Sequence, residues 1–414
     1  MNFNPLPPTV MHIDINSAFA TIEQQANPFL RGRPVVVVAY DSPNGVVLAA
    51  SIEAKRFGIK TGMRLRDARS KTPNVYAVIS DPNKYRFVHH KLCNLLKYFS
   101  HEVTPKSIDE FVLDFKQEMA PEMQNIAKEI KEKIRNEIGE WISVSIGIST
   151  NRQLAKVAAG IIKPDGLVEI NKDNYLKIYE KLNLTDLVGI NTLYETRLNS
   201  VGIHSVLDFY NASPWQLKAS FRSINALYWY FRLRGYEVDN FDFKIKSIGN
   251  SYSIPKNLIA PNDLAPILAK LVNKTASRLR NHNFAAYGVH VGVTLKNRFL
   301  QKDYGCQQYY LHRGKRLKEP IFYTSDIFKI AFEILSELPI KSPVHTLSIS
   351  CFSLVEHSSF QLSLFEDSQK KKLLSESIDK INRKFGDFVL TTANMLSAEE
   401  AVKDRIGFGR DLLP

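Results

Sequence analysis

Glu102-Val103-Thr104-Pro105-Lys106-Ser107-Ile108-Asp109-Glu110-Phe111-Val112-Leu113-Asp114-Phe115 is the stretch on which the reading of the chain turns. Val112, Leu113 and Phe115 have the apolar character of a strand, and Pro105 upstream marks a turn. Neighbouring side chains of a regular strand point to opposite faces, so Asp109 and Glu110 serve one ligand only at a strand end or bulge. Adjacent carboxylates also raise the cost of ionising both unless a cation lies between them. Taken alone, the commoner meaning of such a pair is an exposed strand start with two solvated acids.

Met11-His12-Ile13-Asp14-Ile15-Asn16-Ser17-Ala18-Phe19 shifts that balance. It is a short apolar strand with one acid, and a carboxylate where a half-buried strand ends is costly unless paired or metal-bound. Phe19 and Ile22 begin a helical pattern, with Asn16 or Ser17 as its N-cap. A helix start directly after the acid leaves backbone N–H groups suited to phosphate. Three carboxylates from two strands beside it make a cage fit for two magnesium ions, which take oxygen ligands and substrate phosphate. Two such ions, roughly 3.5–4 Å apart, are a standard device for in-line phosphoryl transfer.

Four motifs then fall in order: Asp14-Ile15-Asn16-Ser17-Ala18-Phe19 followed by Glu23; Ser107-Ile108-Asp109-Glu110; Ala155-Lys156-Val157-Ala158-Ala159; and Lys163-Pro164-Asp165-Gly166. Together they resemble the Y-family, DinB/UmuC-type translesion DNA polymerases, over residues 11–365. The resemblance implies an α+β multidomain right-hand polymerase. Its palm, a mixed sheet plus helices, would take residues 1–24 and 84–170, with small fingers at 25–83. A helical thumb with a helix-hairpin-helix would span 171–240, a linker 241–247, an α/β little finger 248–356, and a tail with a clamp-binding motif 357–414.

The same resemblance implies Asp14, Asp109 and Glu110 as catalytic acids that, with the Ile15 carbonyl, hold two Mg2+ ions. It puts Asn16, Ser17, Ala18, Phe19, Lys55 and Lys163 at the incoming nucleotide. Phe19 takes the steric-gate position, filling the space a ribose 2′-OH would need, and Lys163 contacts triphosphate oxygens. Ala18 stands where an aromatic residue is usual, and Ile52 and Lys55 stand where the fingers helix usually carries Tyr and Arg. Lys55 therefore brings a point charge without bidentate geometry. These departures point to the UmuC-like or Gram-positive SOS branch.

Length and charge agree with several domains. The 414 residues carry 44% hydrophobic side chains and a net charge of +13, with no apolar run long enough to span a membrane. No charged-then-apolar leader pattern opens the chain. Cys93, Cys306 and Cys351 are isolated, which fits thiols in a reduced cytoplasm. Between residues 244 and 318 lie fourteen Lys and Arg against only Asp263 and Asp303. Charge so concentrated favours a polyanion-binding module over a merely solvated face or a membrane surface.

Along the chain, Pro34-Val35-Val36-Val37-Val38-Ala39 and Gly45-Val46-Val47-Leu48-Ala49-Ala50 read as two strands of a small insert around the turn Asp41-Ser42-Pro43-Asn44. Residues 52–58 read as a helix with Gly58 as C-cap. The insert lacks a long basic closing helix, so induced-fit selection would be weak, in agreement with low-fidelity bypass. Residues 120–138 have helical spacing, with Met123, Ile126, Ile130 and Ile134 on one face. Strand 144–149 and helix 153–162 follow, delivering Lys163 at a helix end where the dipole alone also favours a cation.

Asp186-Leu187-Val188-Gly189-Ile190-Asn191, continuing to Gly202, resembles a helix-hairpin-helix that offers backbone N–H groups of Gly189 and Asn191 to a DNA phosphate. Asn191 replaces the second hairpin glycine, where Asn tolerates a left-handed backbone. In the basic region, helices at 266–281 and 326–337 and strands at 287–296 and 346–355 match the little finger, with Lys296, Arg298, Lys302, Arg313 and Arg316 on DNA. His89, His90, His282 and His290 read as surface or packing residues. Gln361-Leu362-Ser363-Leu364-Phe365, set between polar and charged sequence, resembles the bacterial sliding-clamp-binding pentapeptide. Beyond it, Leu374, Ile378, Ile381 and Phe385 form an apolar helical face ended by Gly386.

The expected function is template-directed DNA synthesis past damaged bases, in DNA repair and the SOS response. Its partners would be primer-template DNA, deoxynucleoside triphosphates and the sliding clamp, with a monomeric chain in the cytoplasm. The alternative is a catalytically silent clamp- and DNA-bound adaptor of the same fold, which loss of one acid would mark. A two-metal nuclease or cyclase gains nothing from the clamp motif, and the basic region argues against a nucleotide-only cyclase.

Overall fold

The computed structural model describes residues 1–240, 245–296, 309–356, 368–399 and 401–403. They form two compact units, the first of residues 1–240 and the second from residue 245 onward. Arg298, Lys302, Cys306 and the pentapeptide Gln361 to Phe365 lie outside the described residues.

The first unit opens with β1 (Val10–Ile15), buried along its length except at half-buried Asp14, and α1 (Ala18–Ala26). The insert follows: β2 (Val35–Val38), β3 (Val47–Ala50), α2 (Ile52–Arg56), α3 (Leu65–Lys71) and β4 (Tyr76–Ile79). Its sheet runs β3-β2-β4, and the four valines of β2 are all buried. β4 pairs parallel to β2 as an edge strand with both end residues exposed, so it shows neither an apolar run nor a clean alternation in the sequence.

The larger sheet resumes with α4 (Pro82–Leu96), β5 (Glu102–Pro105), β6 (Glu110–Asp114), α5 (Met123–Lys133), β7 (Val144–Ser149), α6 (Arg152–Ile161) and β8 (Leu167–Glu169). Its order is β5-β6-β1-β7-β8, antiparallel except for the β7–β8 pair. α6 lies directly on β7, because a Cβ on Gly147 would come within 2.0 Å of the Ala155 carbonyl oxygen. That contact lays α6 along the central strands.

Five helices complete the unit: α7 (Tyr175–Tyr179), α8 (Thr192–Asn199), α9 (Val206–Asn211), α10 (Pro214–Phe221) and α11 (Asn225–Arg232). Their core includes Leu154, Val157 and Ala158 of α6, and also Phe3. The chain start thus packs with these helices, and Asn4 is tied there by bonds from its N–H to Arg234 O (2.8 Å) and its Nδ2 to Gly235 O (3.0 Å). At the hairpin, Gly189 takes the left-handed backbone (φ +104). Asn191 does not: its backbone is extended, and its side chain caps α8 by accepting from Tyr194 N at 3.0 Å.

The second unit comprises β9 (Ser247–Ser253), α12 (Pro261–Asn281), β10 (Phe284–Leu295), β11 (Tyr310–Ile321), α13 (Thr324–Glu337), β12 (Val344–Glu356) and α14 (Ser368–Phe385). Its antiparallel sheet runs β11-β10-β12-β9, with α12 and α13 packed on one face. β9 and β11 went unread in the sequence because one is serine- and glycine-rich and the other charged, so neither alternates apolar with polar. α14 returns to α12 with its polar side. Asp379 meets Arg280 at 2.6 Å, each side chain 9% exposed, while Leu374 and Phe385 of the apolar stripe stay exposed. Lys270 Nζ donates to Glu399 O (2.7 Å) and Ala401 O (3.1 Å), and Met395 and Val402 are buried. Among the described residues no helix is long and apolar enough to cross a membrane.

Candidate active site

Strand register brings the acids together. In the antiparallel β1–β6 pair Asp14 stands opposite Glu110, and Ile15 N donates to Asp109 O at 3.0 Å just beyond the ladder. The alternation breaks at Asp109, where a tight turn closes through Lys106 N on Glu110 O (2.8 Å). Ser107 builds the turn from within: its Oγ accepts from Glu110 N (3.1 Å) and donates to Asp109 Oδ1 (2.5 Å). Two consecutive carboxylates thereby join one cluster with Asp14, ninety-five residues upstream.

Cations answer this charge. Lys163 Nζ lies 2.8 Å from Asp14 Oδ2, and Lys156 Nζ lies 2.6 Å from Glu110 Oε2. Lys156 lies within α6 and Lys163 in the turn just past its extended C-cap Ile162, so the helix and the turn after it bring one ammonium to each of these acids. Burial pushes the Asp14 carboxyl above its usual range; Lys163 opposes the shift, while Asp109 and Glu110 add to it. Asp109 is raised first by burial, with the Ser107 hydroxyl opposing and Glu110 adding. Lys55 Nζ donates to Ser17 Oγ at 2.8 Å, and its pKa is lowered by burial and by Lys163, with Asp14 opposing. Among the described residues no three His, Cys, Asp or Glu side chains converge as a ready ligand set; ammonium groups stand on Asp14 and Glu110 instead.

Below the acids lies His12, buried, with neither ring nitrogen hydrogen-bonded among the described residues. Its pKa is pushed down to about 3 by burial, then by Lys156, Lys163 and Lys106. His12 is therefore neutral, and its 4.0 Å approach to Glu110 is not an ion pair. Lys156, Ser107 and His12 carried no assigned role in the sequence. The work of all three depends on which atoms the turn, the register and α6 bring close.

Of the residues expected at the nucleotide, Asn16 is engaged inside the protein. Its Nδ2 donates to Ser145 Oγ (2.9 Å), and its Oδ1 accepts from Ser143 Oγ (3.1 Å) and Asp165 N (2.8 Å). Asn16 thus fixes the loop that carries Lys163. Ser17 is the N-cap by position only: its backbone is left-handed and its side chain makes no cap bond. Ala18 and Phe19 are buried, and Phe19 stacks on Tyr85 with ring centroids 4.4 Å apart. Glu23 holds α1 to α4 through Tyr85 Oη (2.9 Å) and Lys84 Nζ (2.6 Å).

Register also sorts the basic residues of the second unit. Arg313 and Lys315 stand opposite Val291 and Val289, both buried on the helix-covered face, and pair with Glu337 (2.7 Å) and Glu333 (2.6 Å) of α13. Arg316 stands opposite Gly288 on the other face, with His290, His312, Ser348 and Ser350. Lys296 Nζ is bonded to Pro255 O (3.2 Å), Lys256 O (3.0 Å) and Asn257 Oδ1 (3.2 Å), which holds a loop. Of the described expected DNA contacts on this sheet, only Arg316 lies on the face away from the helices.

Known proteins resemble this chain over most of its length. Residues 13–160 match the impB/mucB/samB family and residues 245–364 match that family's C-terminal domain. A DNA polymerase IV of Clostridium acetobutylicum is 30% identical over 403 residues, 94% of this chain and 99% of its own length. One from Pelotomaculum thermopropionicum is 28% identical over 410 residues, 96% and 98% of the two chains. Among solved structures, a Y-family DNA polymerase chimera of Dbh and Dpo4 aligns with a TM-score of 0.72 at 25% identity, covering 84% of this chain and 99% of its own. An insertion ternary complex of Dbh DNA polymerase aligns with a TM-score of 0.56 at 24% identity, over 84% and 99%, and speaks to the fold alone. With both of its domains matched and a relative aligned over nearly its whole length, the chain belongs to the impB/mucB/samB family of Y-family DNA polymerases.

Proposed function

We propose that this chain is a template-directed DNA polymerase that adds deoxynucleotides to a primer 3′ end and carries synthesis past damaged template bases. The observation that carries the reading is the junction of Asp14 with Asp109 and Glu110 across one register pair, flanked by Lys163, Lys156 and Lys55. All three acids are in place, which leaves a catalytically silent adaptor without support.

Two Mg2+ ions fit the donor set. It is built of oxygens alone, and Asp14 and Asp109 are half-buried, mutually repelling carboxylates of the kind a divalent cation relieves. Asp14, Asp109, Glu110 and the Ile15 carbonyl would hold the ions, which supply charge stabilisation and an activated primer oxygen. That oxygen bonds to the α-phosphorus as the bond to the β-phosphate oxygen breaks, and pyrophosphate leaves. Lys163 and Lys55 bind the triphosphate and offset charge developing on the leaving group. Phe19, braced by Tyr85, bounds the sugar pocket against a 2′-OH. Lys156 keeps Glu110 oriented while substrates exchange.

The hairpin at Gly189, with α8 capped by Asn191, holds a DNA phosphate, and the sheet face bearing Arg316 follows the duplex backbone. Residues 361–365 bind the sliding clamp, and the palm, fingers, thumb and little finger take the bounds drawn from the sequence, with residues 1–5 moved to the thumb. We place this activity in the cytoplasm, in the SOS response, with the chain acting as a monomer. Primer extension across an abasic template site, with Asp109→Ala as control, tests the proposal. Bypass by the wild type alone is expected, equal extension by the variant refutes the site, and primer degradation would indicate a nuclease.

A further inference from the structure

From Pro82 to His101 the chain contains no acid, yet it carries Lys84, Arg86, Lys91, Lys97 and three histidines. Most of this stretch is α4, whose aliphatic side chains Val88, Leu92, Leu95 and Leu96 are all buried. Its outer face is of a different kind. Phe87, Lys91, Asn94 and Tyr98 recur at helical spacing, with His90 and Lys97 beside them, and all six are exposed. Phe87 on α4 is 60% exposed and Tyr98, in the turn that follows the helix, 82%, large values for aromatic rings beside a helix whose aliphatic groups are buried. Lys91 lies 5.0 Å from the Phe87 ring centroid, and Lys133 of α5, itself paired with Glu129 at 3.6 Å, lies 5.9 Å from that of Tyr98. The rings stand eleven residues apart, Phe87 within α4 and Tyr98 just past its end.

We infer that this face of α4 is a second nucleic-acid surface, outside the catalytic cleft, that binds single-stranded DNA by stacking bases on Phe87 and Tyr98 and pairing phosphates with Lys91 and Lys97. The chemistry selects this occupant over an acidic protein. Rings interleaved with cations, on a stretch that contributes no acid and with the neighbouring Glu129 already paired to Lys133, suit sequence-tolerant single-strand binding. The spacing of the rings suits a run of a few nucleotides, and unpaired template is the single strand a polymerase meets. The surface uses no residue of the proposed catalytic site, so its failure and the failure of that site are separate results.

The test occupies the cleft first. The full chain is saturated with a hairpin primer-template bearing a one-nucleotide overhang, and a fluorescein-labelled dT12 oligonucleotide is titrated by anisotropy. A further, salt-dependent binding event is expected. It should weaken at least about tenfold in Lys91→Glu/Lys97→Glu and about fivefold or more in Phe87→Ala/Tyr98→Ala, with single-nucleotide incorporation on the hairpin unchanged. An oligonucleotide carrying 5-iododeoxyuridine should photo-crosslink to Phe87 or Tyr98 in the unaltered protein, a readout that needs no variant. Absence of the second binding event, or crosslinks confined to other regions, overturns the inference. So does displacement by poly-glutamate as effective as by unlabelled dT12, because the rings would then contribute nothing.

Discussion

The two large sheets of this molecule treat charge in opposite ways. In the first unit, acids sit at the centre of an apolar sheet, half-buried, and single lysines reach in to meet them. In the second, cations line an edge strand, and glutamates on a covering helix meet two of them at the surface. A buried acid in an apolar strand has few explanations, so its role shows in the sequence. A surface arginine has many, and its face is set by strand parity. Arg313 and Arg316 are three residues apart and fall on opposite faces, one paired with Glu337 and the other beside Gly288.

Substitutions sharpen this contrast, and the largest effect belongs to the half-buried acids. Asp109→Ala should lower single-nucleotide incorporation on the order of 10³-fold while the melting temperature and DNA affinity hold, since it removes charge stabilisation and no core packing. A loss that tracks a fall in melting temperature would mean the cluster is structural. Next comes Arg280, a cation of the second unit whose side chain is buried together with that of its acid, Asp379. Asp379→Ala strands Arg280 and should cost about 3 kcal/mol of stability, seen by chemical denaturation. If denaturation were unchanged, α14 would not be part of that unit's fold.

Lys163→Ala should raise the KM for the nucleotide roughly tenfold with a smaller change in kcat, the signature of lost substrate binding. An effect on kcat alone would move Lys163 from the triphosphate to the chemistry. The smallest effect separates the two arginines. Arg316→Ala should reduce the slope of log affinity against log salt by about 1, and Arg313→Ala should leave it unchanged. Equal slopes for both variants would break the parity argument.

Much of the first unit was legible because its signals are local. Apolar strands at 35–38 and 144–149, the acid in β1 and the acid pair ahead of β6 each stand out within a few residues. Elements that borrow their stability from neighbours were not: β4 is an edge strand, β9 has small polar residues, and β11 is charged. At the site, the acids, Lys55 and Lys163 were readable as residue types in order. Ser107, His12 and Lys156 were not assigned, since their work depends on which atoms the turn and the register bring close. Asn16 was expected at the nucleotide, and its side chain also braces the Lys163 loop, a role that the partners Ser143, Ser145 and Asp165 reveal. The apolar stripe of α14 carried no partner in the sequence, and the helix docks instead by Asp379, which meets Arg280 of α12, a guanidinium also bonded to Phe322 O and Thr324 Oγ1.

The central claim is that Asp14 acts with Asp109 and Glu110 in one cluster although the backbone separates them widely. Single-turnover incorporation opposite an abasic site by Asp14→Asn, measured at DNA occupancy equal to that of the wild type, tests it directly. A rate lower by about three orders of magnitude, at unchanged DNA affinity, is the result the account predicts. Incorporation at the wild-type rate would contradict it.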